Sequence, residues 1–121
     1  MSMTEQQQIY LSLIIFAESI GLRVIEINFK HLSGLIKGNR IGIRVNDSLD
    51  EKIKSLAHEI AHFYLLKDEP RNLIEYPDAV QEENADRMAE GLIAFSRYAV
   101  THFKGLPNIL DECSPVGWRS H

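Results

Sequence analysis

Ser55-Leu56-Ala57-His58-Glu59-Ile60-Ala61-His62-Phe63 contains the pattern His-Glu-x-x-His, and the rest of the chain can be arranged around it. Residues four apart lie on one face of a helix, so the imidazoles of His58 and His62 should point the same way, with Glu59 beside them. This pattern is typical of a zinc-binding helix. It supplies two ligands, so a third must come from another part of the chain.

The helix that carries this pattern is predicted to begin near Ser48 and to end near Lys67. Ser48 is followed three residues later by Glu51, which is the signature of a capping box. One side of the helix is apolar and excludes both histidines: Ile53, Leu56, Ala57, Ile60 and Tyr64. Leu65 and Leu66 flank the histidine side, so the second half of the helix is expected to be buried. Buried imidazoles and a carboxylate need partners, and a divalent metal satisfies all three.

A second long helix is predicted from Asp78 to about Phe103, and its first turns are acidic. Glu82 and Asp86 are four residues apart beside an apolar stripe. A solvated helix start would explain Glu82 but not Asp86, which lies deeper in the helix. In zinc sites with two histidines and a glutamate, a further carboxylate commonly holds a ligand imidazole in its correct tautomer. Glu82 is therefore the candidate third ligand and Asp86 the candidate supporting carboxylate.

The segments before these helices predict an α+β domain. Apolar residues recur at helical spacing from Thr4 to Ile20, which predicts an N-terminal helix. Three strands follow at Leu22 to Phe29, Gly34 to Lys37 and Ile41 to Val45, with Ile25, Ile27 and Phe29 on the apolar face of the first. Gly38-Asn39 is a hairpin signal. We expect an N-terminal helix, a small three-stranded antiparallel sheet and the two long helices, as in a minimal zincin-like domain.

Length and composition favour one domain over residues 1–121, with an irregular tail over 105–121. The chain is 45% hydrophobic and 25% charged, which is sufficient for a core without disulfides. The net charge of -4, without long runs of like charge, argues against direct binding to nucleic acid. The apolar run Ile9 to Ala17 is too short to span a membrane and is not preceded by basic residues. A cytoplasmic protein is expected, and the single cysteine, Cys113, fits a reducing compartment.

In this order, these features resemble the ImmA/IrrE family of bacterial metallopeptidase-like domains, which phages and mobile elements often carry. The resemblance covers Leu32 to Ile93 and rests on four segments: Gly34 to Ile43, Asn46-Asp47-Ser48-Leu49, His58-Glu59-Ile60-Ala61-His62 and Glu82-x-x-Ala85-Asp86-x-Met88-Ala89. It implies that His58, His62 and Glu82 bind Zn²⁺ and that Glu59 is the catalytic acid and base. The family usually closes its last helix with Leu-Leu-Met-Pro, whereas this chain reads Leu92-Ile93-Ala94-Phe95, so the helix is expected to continue.

The resemblance implies a zinc-dependent metallopeptidase whose protein substrate is a separate helix-turn-helix repressor, so that cleavage regulates transcription of a mobile element or a stress response. The alternative is a zinc-binding regulatory module, such as an antirepressor or a toxin-antitoxin component, that acts by binding without proteolysis. A metal-free structural domain and a zinc site blocked by Cys113 are further alternatives. A peptide substrate is expected to add to a free sheet edge, for which Ile41 to Val45 is the candidate. The candidate oxyanion donors are four side chains among which the sequence does not choose: Tyr64, Tyr98, His102 and His31.

Overall fold

The computed structural model describes residues 3–66 and 79–102. The elements in chain order are α1 (Glu5–Ser19), β1 (Arg23–Ile27), β2 (Gly34–Lys37), β3 (Arg40–Arg44), α2 (Leu49–Leu66) and α3 (Ala79–His102). The α+β class and the order of elements agree with the prediction from the sequence. The tail 105–121, including Cys113, lies outside the described residues.

Side chains that bond to the backbone determine where the first two helices begin. At α1, the Gln7 N–H donates to Thr4 Oγ1 over 3.1 Å and the Thr4 N–H donates to Gln7 Oε1 over 2.9 Å, which forms a complete capping box. At α2, the Glu51 N–H donates to Ser48 Oγ over 3.2 Å, which is one of the two bonds of the capping box that the sequence predicted. These bonds satisfy amide groups that a helix start leaves unpaired, and the one at Ser48 fixes the start of the helix that carries both histidines.

The three strands form a mixed sheet in the order β1-β3-β2. β2 and β3 form the predicted antiparallel hairpin around Gly38, whose φ is 63°. β1 runs parallel to β3, so the prediction of an all-antiparallel sheet was wrong. The chain reverses between β1 and β2 and again between β2 and β3, which leaves β1 and β3 running the same way. Antiparallel pairing of β1 would have required it to lie beside β2.

The helices α1 and α2 pack on one face of this sheet, called here the inner face. Val24, Ile41 and Ile36 lie side by side on it, and the next row contains Glu26, Ile43 and Gly34. The opposite face is called the outer face. Ile25 and Ile27, predicted to form the buried side of β1, lie on the outer face and are each 40% exposed. The sequence correctly predicted that side chains alternate between the two faces along β1. The wrong face was assigned as buried, because Leu22 and Val24 on the other face are apolar as well.

The helices and the inner face enclose one hydrophobic core. Its buried members are Ile9, Leu13, Ala17, Leu22, Ile41, Ile43, Ile53, Leu56, Ala57, Ile60, Ala61, Ala85, Ala89 and Val100. The four alanines at 57, 61, 85 and 89 belong to α2 and α3, and small side chains allow two helices to approach closely. The second half of α2 was predicted to be buried all round, but Tyr64 is 42% and Leu65 44% exposed. The reason is that the buried stripe of α2 ends at Ala61.

A polar cluster joins α1, β1 and α2 at the edge of this core. The Tyr10 hydroxyl donates to Glu26 Oε2 over 3.0 Å, and Lys52 Nζ lies 3.0 Å from Glu26 Oε1. Burial raises the pKa of Tyr10 well above its usual value, and the Glu26 carboxylate raises it further by accepting this bond and by its charge. The cluster keeps a carboxylate on the inner face of the sheet paired on both oxygens.

The length and polarity of a helix decide whether it could cross a membrane. α3 has 24 residues and carries charged side chains along its length. Across residues 3–66 and 79–102, no helix combines the length with the apolar character that crossing a bilayer requires.

Candidate metal centre

Two helices bring three side chains to one point. On α2, His58 Nε2 and His62 Nε2 lie 3.0 Å apart. From α3, Glu82 Oε2 lies 3.2 Å from His58 Nε2, and Glu82 Oε1 lies 3.0 Å from His62 Nε2. These residues form a group whose candidate ligand atoms all lie within 4.8 Å of one another. The group could hold a metal ion.

The spacing of these atoms can be compared with that of a tetrahedral zinc site. Ligand atoms about 2.0–2.1 Å from zinc are about 3.3 Å apart at the tetrahedral angle. The observed separations of 3.0–3.2 Å are only slightly shorter. Two imidazole nitrogens facing each other can share at most one proton, so a bound cation accounts for this arrangement better than hydrogen bonding does. The residues present therefore fit a divalent metal such as zinc.

Asp86 contacts the far side of the His58 ring. Its Oδ1 lies 2.9 Å from His58 Nδ1, and its side chain is 66% exposed. A carboxylate accepts a hydrogen bond at this distance, so Nδ1 carries the proton and Nε2 keeps its lone pair toward His62 and Glu82. This contact has the geometry that the predicted supporting role requires. The roles of Asp86 and of the three candidate ligands stay predictions.

The charge state of His62 also favours a metal. Burial lowers the pKa of His62, and the neighbouring His58 lowers it further, while the Glu82 carboxylate acts in the opposite direction. The net effect keeps the imidazole neutral at neutral pH. A neutral imidazole is the form that binds a metal ion.

Glu59 follows His58 on α2 and lies against the start of β2. A Cβ placed on Gly34 would be 3.3 Å from Glu59 Oε2 and 3.4 Å from Ser55 Cβ. The missing side chain at Gly34 therefore leaves room for the Glu59 carboxylate. Burial raises the pKa of Glu59; the His58 imidazole opposes this rise, and the Glu82 carboxylate adds to it. A carboxyl group with a raised pKa is suited to taking up and releasing a proton near neutral pH.

His58 and Glu59 border a groove of about 570 Å³. Three elements line it: Ser33 and Gly34 at β2, Lys54, Ser55, His58 and Glu59 on α2, and Asp86, Ala89, Glu90 and Ile93 on α3. This volume lies in the range of small-ligand and peptide clefts. Space for a substrate therefore exists directly beside the candidate metal centre.

None of the four candidate oxyanion donors is among the described residues that line this groove. Tyr98 and His102 instead stack on each other, with ring centroids 3.8 Å apart. Lys54, Ser55 and Glu90 do line the groove and were missed in the sequence. These three residues lie three or four positions from His58 or Asp86, so helical spacing could have identified them. Ser33 and Gly34 reach the groove through tertiary packing alone, which no local sequence pattern indicates.

The fold is a small α+β domain in which a mixed sheet packs beside a helix pair, and this pair brings two histidines and a glutamate into a group that could hold a metal ion. Comparison with protein families gave a match to the Peptidase M78 family, described as the IrrE N-terminal-like domain, over residues 17–100. The chain therefore belongs to this peptidase family, which confirms the resemblance seen in the sequence. Searches of curated proteins and of solved structures returned no match.

Proposed function

We propose that this chain is a zinc-dependent metallopeptidase that cleaves a protein partner, with a separate helix-turn-helix repressor as the candidate substrate. The observation that carries the proposal is the convergence of His58, His62 and Glu82 within hydrogen-bonding distance of one another, with Glu59 beside them. Membership of a peptidase family supports the reaction type. The repressor as substrate rests on the family resemblance alone.

His58, His62 and Glu82 would hold the zinc ion. Two imidazoles and one carboxylate are a donor set typical of catalytic zinc. Zinc held in this way supplies a Lewis acid that polarises a carbonyl oxygen and lowers the pKa of water toward neutrality. Asp86 would keep the His58 ring in the tautomer that offers Nε2, because it accepts the proton of Nδ1 at 2.9 Å.

Glu59 would move the proton that peptide hydrolysis requires. Its carboxylate takes a proton from the attacking water as the new carbon–oxygen bond forms. It then delivers that proton to the amide nitrogen as the carbon–nitrogen bond breaks, so the amine leaves neutral and Glu59 returns to its starting state. The raised pKa of Glu59 supports this exchange, because the group must both accept and release the proton in one cycle.

A peptide could be positioned by the edge of β2. The predicted edge at Ile41 to Val45 was wrong, because β3 is the central strand and pairs on both sides. Within the described sheet, β2 pairs only with β3, so its other edge is free to accept a strand. Gly34 at the start of β2 approaches Glu59. A peptide added along this edge would therefore pass the candidate catalytic group.

The test compares the zinc-loaded wild type with Glu59→Gln. Zinc content is measured by mass spectrometry, and cleavage of a candidate helix-turn-helix repressor from the source genome is followed on gels and by peptide mapping. We expect equal zinc in both proteins and a rate about 10²–10⁴-fold lower in Glu59→Gln, the usual contribution of a general base. A second substrate, a mixture of peptides from a digested proteome, separates a wrong substrate from a missing activity.

The other outcomes decide between the alternatives. Zinc in both proteins with no cleavage of either substrate would contradict the peptidase and favour a zinc-binding regulatory module. Absence of bound zinc would contradict both. Cleavage at equal rates by the two proteins would contradict the role of Glu59.

A further inference from the structure

The outer face of the sheet carries exposed side chains that neither the core nor the metal centre uses. α1 and α2 pack on the inner face, and His58 and Glu59 belong to α2. The strand register places three rows of residues on the outer face: Arg23, Arg40 and Lys37, then Ile25, Gly42 and Leu35, and then Ile27 and Arg44, whose Nε lies 3.7 Å from Asp47 Oδ1. The first row is called here the cation row.

The three cations of this row are next to one another. Arg40 is paired in register with Arg23 on one side and with Lys37 on the other. Lys37 and Arg40 face each other on antiparallel strands, where Cβ atoms are about 4.5–5.5 Å apart and like charges are destabilising, and Arg23 lies on the neighbouring parallel strand, about 4.7–4.9 Å away. All three side chains are exposed, and among the ion pairs of the described residues none includes them. The fold therefore bears a local repulsion that an anionic partner would relieve.

The row next to the cations is apolar and exposed. Ile25 is 40% and Leu35 44% exposed, and they stand on either side of Gly42. A Cβ on Gly42 would lie 2.9 Å from Ile27 Cδ1 and 2.9 Å from Phe29 Cζ, so these two side chains lean over the glycine. The result is an apolar surface with positive charge along one side. Such surfaces are typical of interaction sites.

The size of the surface suggests the shape of its partner. Three strands of four to five residues measure about 15 Å by 15 Å, which matches two to three turns of one helix. On the inner face, helices already cover the same strands. A helix with acidic residues along one side and aliphatic residues along the other would place carboxylates on the cation row and apolar side chains over Ile25 and Leu35.

Nucleic acid fits this surface less well. Bases are held by stacking on exposed aromatic side chains, whereas Phe29, the ring that leans over Gly42, is half-buried and its exposed neighbours Ile25 and Leu35 are aliphatic. The chain also carries a net charge of -4, which repels a polyanion that extends beyond the patch. We propose that the outer face, at Arg23, Arg40 and Lys37 with Ile25 and Leu35, is a docking surface for an acidic amphipathic helix of a partner protein. This proposal is independent of the proposed peptidase activity, because it involves the opposite face of the sheet.

The experiment uses the full chain and a fluorescent 15-residue helical peptide with Glu on one side and Leu on the other, observed by fluorescence anisotropy. Arg40→Gln is compared with Arg97→Gln, which removes the same charge from exposed Arg97 on α3, 3.8 Å from Glu5. We expect binding that weakens with salt and is reduced about threefold or more by Arg40→Gln, the effect of losing one exposed ion pair. Arg97→Gln should bind as the wild type does.

A second pair of variants tests the apolar part. Leu35→Ser should also weaken binding, whereas Phe95→Ser should not, because Phe95 is 72% exposed on α3. Thermal unfolding checks the folding of every variant, and Arg40→Gln should melt at or above the wild-type temperature because it relieves repulsion. This combination of weaker binding and undiminished stability distinguishes a docking residue from a merely structural one.

Several results would overturn the proposal. These are no binding of the Glu–Leu peptide, equal binding by Arg40→Gln and wild type, or tighter binding of a peptide with Lys in place of Glu. Tighter binding of a 15-nucleotide single-stranded DNA would assign the surface to nucleic acid instead. Dimerisation of the wild type that Arg40→Gln abolishes, measured by analytical ultracentrifugation, would assign it to a second copy of the chain.

Discussion

Asp86 Oδ1 lies 2.9 Å from Nδ1 of His58, on the side of the ring opposite Glu82. This contact connects the first turns of α3 to the middle of α2. We expect this contact to hold the proton of His58 on Nδ1, which would leave Nε2 available to a metal.

Asp86→Asn tests this relationship. The amide group can donate to Nδ1, which would favour the tautomer with its proton on Nε2, the atom that faces His62 and Glu82. We expect zinc affinity to fall by about 10–100-fold, the usual effect of losing such a supporting partner. The measurement is competition with a coloured chelator. Glu83→Gln is the control, because it removes the same charge from a residue that pairs with Arg87 at 2.6 Å and not with a histidine. A zinc affinity of Asp86→Asn within twofold of that of the wild type would refute the role of Asp86.

Gly34→Ala tests the space that the Glu59 carboxylate occupies. The new Cβ would be 3.3 Å from Glu59 Oε2, so the carboxylate must shift by a few tenths of an ångström. We expect kcat for peptide cleavage to fall severalfold, because proton transfer depends on position, while zinc affinity stays unchanged. Gly91→Ala is the control: nothing lies within 4 Å of its added Cβ, and alanine favours a helix. Unchanged kcat in Gly34→Ala would show that the site tolerates this shift.

Ala85→Leu tests the close packing of α2 and α3. Ala85 is fully buried and lies between Glu82 and Asp86 in the sequence. A larger side chain here should overpack the core, lower the free energy of unfolding by about 1–3 kcal/mol and weaken zinc binding by moving Glu82 from the histidines. Chemical denaturation and zinc titration measure the two effects. Exposed Ala94 on the same helix provides Ala94→Leu as control, expected to change stability by less than about 0.5 kcal/mol.

Tyr10→Phe tests the cluster around Glu26 through the pH dependence of stability. The pKa of Tyr10 is raised in the folded protein, so between its unfolded and folded pKa values the folded state binds more protons than the unfolded state. The contribution of Tyr10 is thus fully present below about pH 10 and is lost as pH rises above it. The free energy of unfolding of the metal-free wild type should fall more steeply above pH 10 than that of Tyr10→Phe. Parallel curves for the two proteins would contradict the raised pKa.

Local sequence signals predicted the helices well. The capping residues Thr4 and Ser48 and the helical spacing of apolar residues gave bounds for α1 and α2 close to those observed. The spacing of Glu82 and Asp86 identified the side chains that the structure brings to the histidines. These features depend on residues three or four apart, which is the distance over which helical sequence patterns act.

The arrangement of the sheet could not be predicted in the same way. Gly38-Asn39 indicates the hairpin between β2 and β3, but no local signal says which strand lies beside β1 or which side of β1 is buried. Both sides of β1 carry apolar residues, Val24 on one and Ile25 on the other, so alternation alone does not choose. Which strands lie at the edges of the sheet follows from the strand order, and for this reason a free edge was wrongly assigned to β3, the central strand.

The central claim is that His58, His62 and Glu82 bind one zinc ion, and X-ray absorption spectroscopy of the zinc-loaded full chain tests it most directly. We predict one zinc per chain, with two imidazole nitrogens and only oxygen besides them in its coordination shell, at about 2.0–2.1 Å. Glu82→Gln should reduce the bound zinc. A sulfur atom at about 2.3 Å, which only Cys113 or a methionine could provide, or a protein that binds no zinc, would contradict the claim.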